Sequence, residues 1–221
     1  MCIRDSPLSP EFFAEARKLA DSTGALLIVD EIQAGCGRTG KWCAYQHFGI
    51  KPDITTLAKP LAGGIPMSAT LCTNEVARAF HAGMHGTTFG GGPLACATAI
   101  AVIDHIEKEN LMAHVTEIGN YFQQKLRDLA TKHSCIATVR GMGLMLAVEL
   151  DSAELGKLAV KEMLKKRIVI NCTSDTVLRF LPPYIFERQH VDQTIAALDE
   201  FFTEHAGLAA AAAGEGASAH G

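Results

Sequence analysis

Two short apolar runs, each ending on charged residues, constrain this chain more than any other feature. "ALLIVDE" (residues 25–31) ends on Asp30 and Glu31, and "DITTLAK" (53–59) ends on Lys59. Continuous β-branched and aliphatic runs of this length suit strands buried on both faces, the pattern of a mostly parallel sheet flanked by helices. "MSATLCT" (67–73) reads as a third strand. Helical segments alternate with them. "SPEFFAEARKLADSTG" offers Ser9 as a cap, Pro10 at the first helical position and Gly24 as a stop. "NEVARAFH" reads as a short helix capped by Asn74. "GGGPLACATAIAVIDHIEKENL" is a long helix with Pro93 near its start. It is apolar nearly all round at first and charged later, which suits a helix leaving one core to join two domains.

Beyond that helix the pattern changes. "VTEIGNYFQQKLRDLATKH", "AELGKLAVKEMLKKR" and "ERQHVDQTIAALDEFFTEH" have helical periodicity. "IATVRGMGLMLAVEL" reads as a strand pair turning at Gly-x-Gly, and "IVINCTSDTVLRFLPP" as a hairpin. The expected organisation is therefore an α/β part over residues 7–106 and an α+β part over 107–205. The opening "MCIRDS" fits neither part; it reads like a translated sequencing adapter, with the natural sequence starting near Pro7. Residues 206–221 are almost all Ala, Gly and Ser and read as a disordered tail.

Composition narrows the function classes. A net charge of −4 carries no electrostatic footprint for nucleic acid, and no apolar run is long enough for a membrane helix. Seven scattered cysteines without a C-x-x-C favour reduced thiols in the cytoplasm over disulfides or a zinc site. His81 and His85 have a metal-pair spacing, but Gly83 and Gly86 argue against the helix it requires, so no metal is expected. "GCGRTGK" (35–41) spells G-x-G-x-x-G and also G-x-x-x-x-G-K. Trp42 stands where a phosphate loop needs Ser or Thr. A dinucleotide site would need its glycines directly after the strand and its acid downstream, whereas Asp30 precedes them. A Gly-rich loop leaving a strand end is the simpler reading.

Three features converge instead. Asp30 and Glu31 close one buried strand, at the edge where open α/β sheets bind ligands. Lys59 closes another, where desolvation makes a lysine a neutral nucleophile, and Gly63-Gly64 lets backbone pass close by. "HGTTFGGGP" (85–93) sets two hydroxyls among glycines before a long helix, which is phosphate-binding chemistry. A lysine for a Schiff base, an acid for a pyridine nitrogen and a hydroxyl for a phosphate fit pyridoxal 5'-phosphate.

With these residues in place the chain resembles the class III aminotransferases. The resemblance is carried by "LLIVDEIQAGCGRTGKWCAYQHFGIKPDITTLAKPLAGGIPMSA", "HGTTFGGGPLACATAIAVID" and "VRGMGLMLAVEL", and runs from about Pro7 to Phe202. It implies the fold type I of pyridoxal-phosphate enzymes, here a truncated large domain with a mostly parallel sheet plus a C-terminal α+β small domain. It implies that Lys59 holds the cofactor and moves protons, that Asp30 pairs with the pyridine nitrogen, and that Gln33 bonds the ring-hydroxyl side. Glu31 would belong to the cofactor-binding set in an orienting rather than a catalytic role, and Arg38 would brace the Gly-rich loop. Thr88 would bind phosphate across a homodimer interface, Thr87 would face substrate, and Arg179 in "LRFLPP" would clamp a substrate carboxylate.

Within the class the likeness is strongest to the branch acting on N-acetylornithine and 2-oxoglutarate in arginine biosynthesis. Sister enzymes for ornithine, succinyl-diaminopimelate and 4-aminobutyrate share most of these motifs. Two departures stand out. "GGGPLA" replaces the usual "GGNPLA", so Gly92 stands for an Asn and removes a cap. Family chains are also about twice as long, and the upstream half that supplies the phosphate cup and a ring-stacking aromatic has no counterpart here. A chain lacking it is expected to hold cofactor poorly, to leave its sheet incompletely buried and to be inactive alone. A non-catalytic short binding module is the remaining alternative.

Overall fold

The computed structural model describes residues 2–3 and 6–205. These divide into two compact units, one ending at His114 and the other beginning at Val115. The tail reading over 206–221 lies outside the described residues. At the start of the chain, β1 (Cys2–Ile3) pairs antiparallel with β2 (Ser6–Pro7).

In the first unit α1 (Pro10–Thr23) follows the cap chemistry of its sequence. The Ser9 side chain accepts from the Phe12 N–H, Pro10 opens the helix, and Gly24 closes it at φ 72 with its N–H on the Ala20 carbonyl. β3 (Ile28–Asp30) and β4 (Ile54–Leu57) run parallel, with Val29 opposite Thr55 and Asp30 opposite Thr56. β5 (Ala69–Cys72) pairs antiparallel with β4, so the order is β3-β4-β5. Asp53 ties the starts of these strands to the helix. Its Oδ2 accepts from Arg17 and from the Leu27 N–H, both at 2.7 Å, and its carbonyl accepts from the Thr73 N–H.

The incompletely buried sheet expected of a chain without the upstream half is seen at β3, and one sequence expectation needs correcting. β3 is buried on one face only: Val29 is buried while Ile28 is 59% exposed. β3 lies at the edge of a three-stranded sheet, and nothing among the described residues covers that face. The short helix α2 (Asn74–Ala77) is capped by Thr73, whose hydroxyl accepts from the Val76 N–H, rather than by Asn74. Thr73 reaches that N–H because its own backbone is extended, as a cap requires.

α3 (Pro93–Lys108) packs on the 3-10 turn Lys59–Ala62, burying Leu61, Ala62, Ala99 and Cys36 together. In the second unit the part of α4 (Leu111–Lys132) from Val115 onward, α5 (Ala153–Lys165) and α6 (Arg188–Glu204) share one core with a four-stranded antiparallel sheet. That sheet has the order β6 (Ile136–Met142), β7 (Met145–Leu150), β9 (Val177–Phe180), β8 (Asn171–Thr173). The central strand β7 is buried almost throughout, so its apolar run "MLAVEL" needs no parallel neighbours. Phe122, Leu126, Phe201 and Phe202 anchor this core, each contributing roughly 2–3 kcal/mol by burial. Gly119 of α4 sits against the β6–β7 turn so closely that any Cβ there would meet the carbonyl of Gly143.

Candidate functional site

The parallel pairing of β3 and β4 puts both carboxyl ends at one edge of the sheet. Asp30 ends β3, and Lys59 follows β4 as the first residue of its 3-10 turn. Both side chains are exposed, so the burial expected of Lys59 from its place after an apolar run is not found among the described residues: the run ends before the 3-10 turn, and the turn sends Leu61 and Ala62 inward instead. Lys59 has φ 44, in the left-handed region that a lysine rarely enters. Pro60 after it disfavours the right-handed helical alternative. The Leu61 and Ala62 side chains anchor the turn in the core beneath, so packing holds Lys59 in a conformation its own backbone does not favour. Gly63 follows at φ 58, with Val102 of α3 pressed against it.

Asp30 Oδ1 accepts from the Ile32 N–H at 2.9 Å, which turns the chain sharply after the strand. Glu31 goes the other way. It is 2% exposed, and its Oε1 accepts from the Tyr45 N–H at 2.9 Å. Burial pushes its carboxyl pKa up, while the N–H groups of Ala44 and Tyr45 pull it down. The adjacent acids thus occupy opposite faces, as strand alternation demands. Gln33 is half-buried in the turns that follow.

The Gly-rich loop is a brace. Gly35 is packed against the Glu31 carbonyl and Leu57, and Lys41 donates to the Gln46 carbonyl at 3.1 Å. The His47 ring contacts the Thr39 carbonyl and hydroxyl at 3.1 and 3.2 Å, and burial lowers its pKa. Cys36 is buried beside Cys43 and Glu31, and its thiol is pushed up to about 11, chiefly by burial. Arg38 is half-buried in the same loop.

Thr87 and Thr88 lie in the exposed segment before α3. Thr87 Oγ1 accepts from the Gly90 N–H at 3.2 Å, shaping the turn. Gly92 caps α3 with no side-chain bond, as expected of the Asn-to-Gly departure. Asp30, Gln33, Lys59, Thr87 and Thr88 therefore belong to the first unit, while Arg179 belongs to the second. There Arg179 sits on β9 opposite Ala147 and Asn171, and its Nε donates to Asn171 Oδ1 at 3.3 Å. Sequence reasoning missed the backbone strain at Lys59 and the anchoring role of the Tyr45 N–H. For the first, the Lys-Pro dipeptide is the one available signal; for the second there is none, because backbone donors carry no residue identity.

The sequence profile of the family described as Aminotransferase class-III matches residues 5–202. The chain belongs to the class III aminotransferases. The cofactor of this family is pyridoxal 5'-phosphate. An acetylornithine aminotransferase of Methanocaldococcus jannaschii is 50% identical over 194 residues, spanning 88% of this chain and 48% of that one. Among solved structures, an acetylornithine aminotransferase from Elizabethkingia anophelis matches with a TM-score of 0.83 at 30% identity, covering 89% of this chain and 52% of that chain. An S-selective transaminase from an Arthrobacter species matches with a TM-score of 0.88 at 27% identity, covering 93% and 50%. The chain spans about half the length of the relatives it matches. No helix among the described residues is long and apolar enough to cross a membrane.

Proposed function

We propose that this chain is part of a cytoplasmic, homodimeric transaminase that moves an amino group between N-acetylornithine and 2-oxoglutarate in arginine biosynthesis. The observation that carries the reading is Lys59, strained and exposed at the carboxyl end of β4, beside the strand that ends on Asp30. The residues present fit pyridoxal 5'-phosphate. Lys59 supplies an amine for covalent attachment, Asp30 a carboxylate for a ring N–H, Gln33 an amide for the ring hydroxyl, and Thr88 a hydroxyl for phosphate. When bound, the cofactor supplies an electron sink that stabilises negative charge at the substrate carbon.

The chain's own groups then have distinct tasks. Lys59 Nζ takes and returns the proton at the reacting carbon. The Asp30 carboxylate would hold the proton on the ring nitrogen. Glu31 orients this end of β3. Thr88 serves the neighbouring subunit's site, and Thr87 faces substrate. The Arg179 guanidinium grips a substrate carboxylate in a two-pronged contact, which selects an amino acid or 2-oxo acid over a simple amine.

The 50% identity to the Methanocaldococcus jannaschii protein supports the N-acetylornithine branch. The likeness to the S-selective transaminase and to an ornithine aminotransferase from Toxoplasma gondii, with a TM-score of 0.83, supports a second reading with another amino donor, such as ornithine, succinyl-diaminopimelate or 4-aminobutyrate. A panel of amino donors assayed with 2-oxoglutarate on the full enzyme chain separates the two. N-acetylornithine should be the best donor, and Lys59→Ala should abolish turnover. Turnover that survives Lys59→Ala would sink the transaminase reading altogether. The 221-residue chain assayed alone should be inactive.

A further inference from the structure

The buried acid next to Asp30 has no place in the chemistry above beyond orienting the strand end, yet its surroundings are built in detail. Glu31 joins three segments. Its N–H donates to the Thr56 carbonyl of β4 at 3.0 Å, its carbonyl accepts from the Gly35 N–H at 2.9 Å, and its carboxyl takes the Tyr45 N–H. The Ala44 N–H also bonds that carboxyl. Ala44 and Tyr45 open the 3-10 turn Ala44–Phe48, so the carboxyl sits on free N–H groups at its start. The other oxygen, Oε2, is buried with no hydrogen-bond partner among the described residues. Among the described residues Cys36, Cys43 and Tyr45 are the titratable groups around it, with Asp30 acting from the opposite face, and none of these is a cation. An acceptor for N–H groups is needed here, but a negative charge is not.

We propose that Glu31 is a positioning residue for the cofactor: by pinning the 3-10 turn Ala44–Phe48 to the end of β3, it fixes how Asp30 and Gln33 leave the strand toward the pyridine ring. The inference rests on the pyridoxal-phosphate reading of the site and adds the group that holds its acid in place. Position 31 needs an acceptor of carboxamide or carboxyl shape. Glutamine meets that need and alanine does not.

The test is a cofactor titration of the full enzyme chain as apoprotein, read by absorbance, alongside urea unfolding followed by circular dichroism. Glu31→Ala should weaken pyridoxal 5'-phosphate binding about tenfold, the effect of one lost buried hydrogen bond. Glu31→Gln should bind within about twofold of the parent, because its amide oxygen still accepts from Tyr45. Ala44→Pro deletes one of the two donors at a helix-start position that tolerates proline, after Cys43 at φ −129 and ψ 140, which a following proline accepts. It should weaken binding by an intermediate factor, and it carries the test if Glu31→Ala does not fold. A purely structural role would lower the urea midpoint and leave affinity unchanged well below it. Binding that depends on Lys59 but is the same in Glu31→Ala, or a Glu31→Gln variant as weak as Glu31→Ala, would overturn this inference alone. Binding that survives Lys59→Ala would overturn the cofactor reading with it.

Discussion

Replacing Lys59 by glycine should stabilise the chain relative to replacing it by alanine, although both remove the amine. Lys59 has φ 44 and an exposed side chain, so truncation loses little packing. A left-handed residue with a Cβ costs about 1–2 kcal/mol, which glycine avoids. Glycine also makes the unfolded chain looser, which offsets about 0.4–1 kcal/mol. The net difference is about 1 kcal/mol in favour of Lys59→Gly. With a urea slope of roughly 2 kcal/mol per molar, the midpoints should differ by about 0.5 M. Trp42 is the only tryptophan and lies in the first unit, so its emission follows the unfolding of the part that carries Lys59. Equal midpoints, or a more stable Lys59→Ala, would refute the claim that packing forces this residue into a strained backbone.

Other perturbations have equally definite outcomes. Gly119→Ala should destabilise the second unit by about 2 kcal/mol, seen as a lower thermal midpoint, because its methyl would collide with the Gly143 carbonyl and α4 would have to move off the hairpin. Gly92→Asn should raise stability by a few tenths of a kcal/mol in the same melt, since Gly92 is already extended at φ −62 and only a Phe89 carbonyl contact at 3.4 Å meets the new Cβ. The two buried or bonded acids of the first unit should show opposite pH signs. Arg17 first, and then the Leu27 N–H, hold the Asp53 pKa below its ordinary value, so its stabilisation is present above about pH 4 and is lost as pH falls through the lowered pKa. Asp53→Asn should flatten that acid limb in urea titrations by pH. Burial raises the Glu31 pKa, so its contribution is greatest below the ordinary carboxyl range and falls as pH rises through the raised value. Glu31→Gln should therefore gain stability at pH 7 and none at pH 4.

Local chemistry was the most legible part of this chain. Ser9, Pro10 and Gly24 state the ends of α1 because caps and stops are set within four residues. The Gly-x-Gly turn between β6 and β7 and the hairpin of β8 and β9 were readable for the same reason. What depends on distant partners was not. An apolar run such as "ALLIVDE" states that a strand can be buried, but which faces are covered is decided by its neighbours, and none among the described residues covers Ile28. The antiparallel direction of β5 depends on how the intervening 3-10 turn and Gly63-Gly64 reverse the chain. The candidate residues could be named from type and spacing, whereas the strain at Lys59 and the inward turn of Glu31 are properties of a packed backbone.

Asp30 and Glu31 differ by one methylene, yet strand pleating gives them opposite environments. Only three residue pairs hold β3 in register against β4. A slip of one position would turn the Glu31 carboxyl toward solvent and drive the Asp30 carboxyl among Cys36, Cys43 and the start of the 3-10 turn. The longer acid would then face the ligand and the shorter one would fail to reach its N–H donors. On the proposed reading of the site, which acid meets the ligand is set by strand alignment as much as by residue type. Substitutions at Val29 or Thr55, far from any reacting atom, would be expected to act on chemistry through that alignment.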